Sequence, residues 1–194
     1  MKTVTALFDS YQDAEEAVRE LEATGVPHSD ISIVANNSDG WYEEGDSSEA
    51  GDDAATGAGI GAVVGGTGGL LTGLGLMAIP GVGPVVAAGW LAATAVGAVA
   101  GAVVGGATGG IVGALTNSGV PERDAHVYAE GVRRGGTLVT ARVDDDLGSQ
   151  AERVLSDIGS VDVSARRRDY EQGGWSRFDP EAGAYSASEK DRLT

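Results

Sequence analysis

Ten glycines constrain this chain more than any other feature. Gly57, Gly61, Gly65, Gly69 and Gly73 fall at every fourth position, and Gly97, Gly101, Gly105, Gly109 and Gly113 repeat the rhythm after a break. Each glycine in a helix interior costs about 0.8–1.0 kcal/mol relative to alanine, so a helix carrying five of them needs an offsetting interaction. Period four lines the glycines along one helix face, where a second backbone approaches closely and gains dispersion contacts and weak Cα–H to carbonyl bonds. Between the runs stands Ile79-Pro80-Gly81-Val82-Gly83-Pro84, a composition that stops a helix and reverses the chain. Residues 54–117 are therefore expected to form a glycine-zipper helical hairpin, stable only against each other or against neighbouring copies. The ten glycines are the candidate self-association site.

The same region carries no charged side chain from Ala54 to Pro121. Two environments suit such a surface. The segments 54–79 and 85–116 are each longer than the roughly 20 residues that cross a hydrocarbon core, which suits a lipid membrane. Against that, glycine, alanine and threonine stand where leucine and isoleucine belong, and the preceding flank is acidic where Lys or Arg is the rule. The alternative is a soluble homo-oligomer that buries the glycine faces between subunits.

The charge of −16 lies outside this region: residues 1–53 hold a net −12 and residues 122–194 a net −4. Phosphate-rich partners need a basic face that displaces counterions. Beyond Arg166, Arg167 and Arg168 the chain has none to offer, so nucleic acid is excluded as a partner.

Two similar segments bracket the insert. Thr3–Phe8 alternates as a strand. A helix follows, capped by Ser10 with Asp13 three residues on, bearing Ala14, Ala17, Val18 and Leu21 on one stripe. Ile31–Ala35 closes a β-α-β unit over residues 1–35. The second unit runs from a strand at Thr137–Val143 through a helix marked by Leu147, Ala151, Val154, Leu155 and Ile158 to an expected strand at Val161–Ala165. VTALFDS at Val4 matches VTARVDD at Val139, and AEEAV at Ala14 matches AERVL at Ala151. Two such units pair most economically as a four-stranded antiparallel sheet with both helices on one face, which is an α+β, ferredoxin-like core. An extra helix over Pro121–Arg134 precedes the second unit, with Glu122 and Asp124 in its first turn and Arg133 and Arg134 in its last. The expected domains are thus the first unit (1–35), an acidic linker (36–53), the hairpin (54–117), the extra helix with the second unit (118–168) and a C-terminal tail (169–194). In that tail Trp175, Phe178 and Tyr185 are expected to pack back on the domain, with docking on a partner as the alternative.

Chemistry finds little to use. There is no cysteine, hence no thiol nucleophile, disulfide or thiolate metal site. His28 falls in a turn and His126 in a helix, each without a companion motif. The glycines lack the G-x-G-x-x-G spacing of a dinucleotide site, and no GK[ST] occurs. The acidic linker lacks the ligand alternation of a calcium loop, and Asp144, Asp145 and Asp146 read as a turn that caps the next helix. The reading is non-enzymatic, without cofactor or metal. The opening MKTVTALFDS is too short in its apolar part for a secretory signal, which places the chain in the cytoplasm, with association at the inner membrane as the alternative.

Three stretches carry a resemblance. FDSYQDAEEAVRELEATGVPHSDISIVA (Phe8–Ala35), SGVPERDAHVYAEGVRRGGTLVTARVDD (Ser118–Asp145) and GWSRFDP (Gly174–Pro180) resemble the bacterial general stress proteins of the heat-induced YflT type. The resemblance implies stress-linked expression and a membrane-like glycine insert, and it brings no catalytic residues. A ferredoxin-like module that binds a regulatory ligand is the remaining alternative, resting on fold analogy.

Overall fold

A computed structural model describes residues 1–42, 75–92, 94, 110–183 and 185. The chain is an α+β protein built on one five-stranded antiparallel sheet. Its elements are β1 (Lys2–Phe8), α1 (Tyr11–Ala23), a 3-10 turn (His28–Asp30), β2 (Ile31–Asn36), β3 (Gly75–Ile79), β4 (Gly83–Ala88), α2 (Gly110–Asn117), α3 (Glu122–Arg133), β5 (Thr137–Val143), α4 (Gly148–Asp157) and α5 (Val163–Gln172). The strand order is β1-β5-β2-β4-β3. In register, Val4 lies opposite Ala141, Ile33 opposite both Val139 and Ala88, and Met77 opposite Val85.

Local signals explain most of these elements. Ser10 accepts hydrogen bonds from the Gln12 and Asp13 amides at 3.1 and 3.5 Å, which fixes the start of α1. The predicted stripe Ala14, Ala17, Val18 and Leu21 is the buried face of that helix. In α3, Ala125, Tyr128, Ala129 and Val132 are buried as their spacing requires.

The sheet is covered on both faces. On one side α1 and α4 pack Leu21 and Leu155 against Val4, Phe8, Ile33 and Val139. On the other, α2 and α3 pack Leu115, Tyr128 and Val132 against Leu7, Val34 and Leu138. Burial from both directions makes β2 buried along its whole length, as in sheets sandwiched between helices. Removing a Leu or Phe side chain from water contributes about 1.5–3 kcal/mol, so the two clusters are the main source of stability.

Two expectations are corrected. Residues 75–78 and 85–88, expected within helical arms, lie in strands β3 and β4. The Pro80–Pro84 segment does reverse the chain, but between β3 and β4, and β4 then pairs with the free edge of β2. Ile79, Val85 and Val86 suit a pleated, two-sided core better than a helix, and the sheet has five strands where four were expected. Residues 163–165, expected to end a closing strand, open α5. Asp162 caps it, accepting from the Ser164 and Ala165 amides at 2.8 and 3.0 Å, and that local capping outweighs the alternation of VDVSA. The strand-like contact that remains beside β1 is the Val161 amide donating to the Leu7 carbonyl at 2.8 Å.

Candidate functional site

Of the ten candidate glycines, Gly57, Gly61, Gly65, Gly69, Gly73, Gly97, Gly101, Gly105 and Gly109 lie outside the described residues. Gly113 is inside α2 and buried, in the helix that packs Ile111, Ala114 and Leu115 into the core beside α3. The described residues therefore show how the insert is attached to the sheet. Attachment is extensive. β3 and β4 extend the sheet, Trp90 after β4 donates from Nε1 to the Asp30 carbonyl at 3.0 Å, and the Arg142 guanidinium sits 4.9 Å from its ring.

Residues 36–42, the first part of the expected linker, are held on the core. Asn36 and Asn37 are buried. Asn37 exchanges hydrogen bonds with Tyr42 at 3.0 Å in each direction, its amide donates to the Pro84 carbonyl, and Trp41 Nε1 donates to the Asn36 carbonyl. The Trp41 ring meets the Tyr11 ring at 4.6 Å, tilted by 46°. Burial and the neighbouring Glu15 push the Tyr11 hydroxyl up to about 12.

The C-terminal segment crosses the reversal between β3 and β4. Phe178 is buried in the apolar cluster that includes Ile79, Val82 and Ile111. Gly81 has φ +77°, and a Cβ there would lie 2.6 Å from the Pro180 Cα and 2.8 Å from the Asp179 carbonyl oxygen. Only glycine satisfies both the turn and this backbone-on-backbone contact. The segment is pinned on either side. The Trp175 amide donates to the Tyr170 carbonyl at 3.0 Å, and Arg133 donates from Nε and Nη2 to the Gly183 carbonyl at 3.2 and 2.9 Å.

Below this strap lies an ionic cluster that sequence reasoning missed. Glu130 is fully buried and accepts from Arg133 at 3.3 Å, from Arg134 at 2.8 Å and from the Tyr185 hydroxyl at 3.3 Å. The Arg133 guanidinium lies 4.2 Å from the Tyr185 ring and that of Arg134 lies 4.1 Å from the Tyr170 ring. Burial raises the Tyr170 hydroxyl, opposed by Arg166 and Arg134. The i+3 and i+4 spacing of the two arginines from Glu130 was visible in the sequence, but it reads as an ordinary surface pair. What buries the carboxylate is the distant tail.

The remaining candidates have structural roles. His28 Nδ1 lies 2.6 Å from Glu22 and His126 Nε2 lies 3.8 Å from Glu122. Asp144–Asp146 form the turn before α4 through the Leu147 amide bonded to the Asp144 carbonyl. They supply no side-chain cap, since the cap position is Leu147, which corrects the capping expectation. Arg166 and Arg167 are tied to Asp9 and Asp124, and the hydrogen bonds that Arg166 donates to the Asp9 carboxylate raise its pKa. Among the described residues no cluster of three metal-ligating side chains occurs, and no helix is long and apolar enough to cross a membrane. Compared with known proteins, the chain matches no family model, no curated protein and no solved structure.

Proposed function

We propose that the chain is a non-enzymatic, stress-associated structural protein that self-associates through its two glycine runs, displayed on a ferredoxin-like core. One observation carries this reading: the described segment between the runs, 75–92, and the one that ends the second run, 110–117, are integral parts of the sheet and its helical cover. The second run starts and ends within reach of one domain, beside Ala92 and Gly110, and such anchoring lowers the entropic cost of pairing with another copy. The uncharged stretch from Ala54 to Pro121 keeps the net charge away from the surfaces that would meet. The order β1-β5-β2, with β5 between the two strands of the first unit, supports the ferredoxin-like part of this reading. The stress association rests on the resemblance of Phe8–Ala35 and Ser118–Asp145 to the general stress proteins.

The test is particle mass by light scattering for the full chain, with and without detergent. Gly65→Leu together with Gly105→Leu is expected to reduce the assembled species to single chains, because leucine side chains hold the backbones apart. An unchanged mass in both conditions overturns the reading. A mass that collapses in detergent for the unmodified chain assigns the association to a membrane instead of a soluble oligomer.

A further inference from the structure

We propose that residues 174–183 together with Tyr185 are a latch that holds the β3–β4 hairpin on the sheet and thereby controls how firmly the glycine insert is anchored for association. The latch itself stands on observed contacts, and its effect on assembly rests on the self-association reading above.

Three contacts define it. At its start the Trp175 ring meets the Tyr170 ring at 5.6 Å and 70°, and its amide is bonded to the Tyr170 carbonyl. In its middle, Phe178 enters the core and the Asp179-Pro180 backbone lies directly on Gly81, at the tip of the hairpin. At its end, the Gly183 carbonyl and the Tyr185 ring are both held by Arg133, and the Tyr185 hydroxyl reaches Glu130. The middle contact joins the tail to the hairpin, and the outer two join the tail to α5 and α3. A segment fastened to the core on both sides and passing over the hairpin tip restrains that tip.

The restraint is also easy to undo. From Gly174 to Gly183 only Phe178 is buried, and most of the other side chains are exposed, so the segment has the few apolar contacts and solvated backbone of a region that opens locally at low cost. The hairpin beneath it has its own hold, the β2–β4 ladder from Ile33 opposite Ala88 to Asn36 opposite Val85. Opening the latch therefore loosens the hairpin without dismantling the sheet. β3, on the outer edge, has no strand beyond it among the described residues and depends most on the tip being held.

Hydrogen exchange read by mass spectrometry on the full chain is the test. In Phe178→Ala with Tyr185→Ala, peptides covering 75–88 are expected to exchange about tenfold faster, while those covering β1 and β5 keep their rates. Tyr185→Ala alone leaves the Phe178 anchor in place, and its smaller acceleration at 75–88 should not extend to β1 and β5. Unchanged exchange at 75–88, or equal acceleration in every strand, overturns the latch. Light scattering then reads its consequence. The double variant is expected to reduce the assembled fraction, and an unchanged or larger fraction, in a chain where Gly65→Leu with Gly105→Leu does dissolve the assembly, overturns the control of association. If the two glycine replacements themselves leave the mass unchanged, the self-association reading fails and the exchange pattern alone decides the latch.

Discussion

After β1 the chain forms α1 and returns as β2, near the middle of the sheet; after β5 it forms α4 and, at the matching point, turns into α5. The two halves share their opening pattern, yet only the first supplies two strands. The difference lies in the closing segments. Ile31–Asn36 is buried on both faces between two helical layers, a position that tolerates no unpaired charge. Val161–Ala165 contains Asp162, which stays in solvent as a helix cap, and the arginines that follow are held by Asp9 and Asp124. Similar alternation thus yields a central strand in one half and a peripheral helix in the other, because one carboxylate finds a better place at a helix start than in a core. The position beside β1 is left as a groove of about 530 Å³ lined by Thr3, Thr5, Tyr128 and Glu152, where the Tyr128 hydroxyl donates to the Thr5 carbonyl at 3.1 Å. Burial pushes that hydroxyl up to about 12.

The sharpest challenge to this contrast uses corresponding helix positions. Leu21 in α1 is fully buried, whereas its counterpart Ile158 after α4 is half-buried. Leu21→Ala is expected to cost about 2–5 kcal/mol and Ile158→Ala at least about 1 kcal/mol less, read from denaturant midpoints. Equal losses would mean that the halves contribute alike. A smaller effect is expected at the junction of β1 with α3. An added methyl at Gly131 would sit 2.3 Å from Leu7 Cδ2, and overpacking of about 1–3 kcal/mol outweighs the gain of about 1 kcal/mol from removing a helix glycine. Gly131→Ala should therefore destabilise by about 1 kcal/mol net, and a stabilised variant would show that β1 is not clamped from this side.

The mildest effect is a pH dependence at α5. The Ala165 and Ser164 amides hold the Asp162 carboxyl below the usual carboxylate range. A depressed folded pKa contributes stability that is present above the ordinary value and lost as pH falls through the lowered one. Amide chemical shifts of Ser164 and Ala165 should hence change only in strong acid, and Asp162→Asn should keep the cap while removing the titration. Shifts that follow an ordinary aspartate titration would remove the capping explanation for the difference between the halves.

Much of the fold was legible because its signals are local. The Ser10 cap, the stripe from Ala14 to Leu21, the charged ends of α3 and the alternation of β1 and β5 each depend on a few neighbouring residues. β3 and β4 were not legible, because GLMAI and GPVVAA sit in a glycine-rich context that reads as helix arms, and their identity as strands depends on the open edge of β2. α5 required recognition that Asp162 caps a helix. Of the candidate site, Gly113 alone falls within the described residues. Glu130 and the strap could not be anticipated, since Glu130 is covered by residues 50 and more positions away.

The position of β5 also bears on how the protein is made. It lies between β1 and β2, yet it follows β2 by about 100 residues, which at about 5–20 residues per second leaves the nascent N-terminal half without its central neighbour for about 5–20 s. The β3–β4 hairpin leaves the ribosome earlier and pairs with the opposite edge of β2. It can shield one side of that apolar strand while the other waits for its partner, a service during synthesis quite apart from any role in the finished molecule.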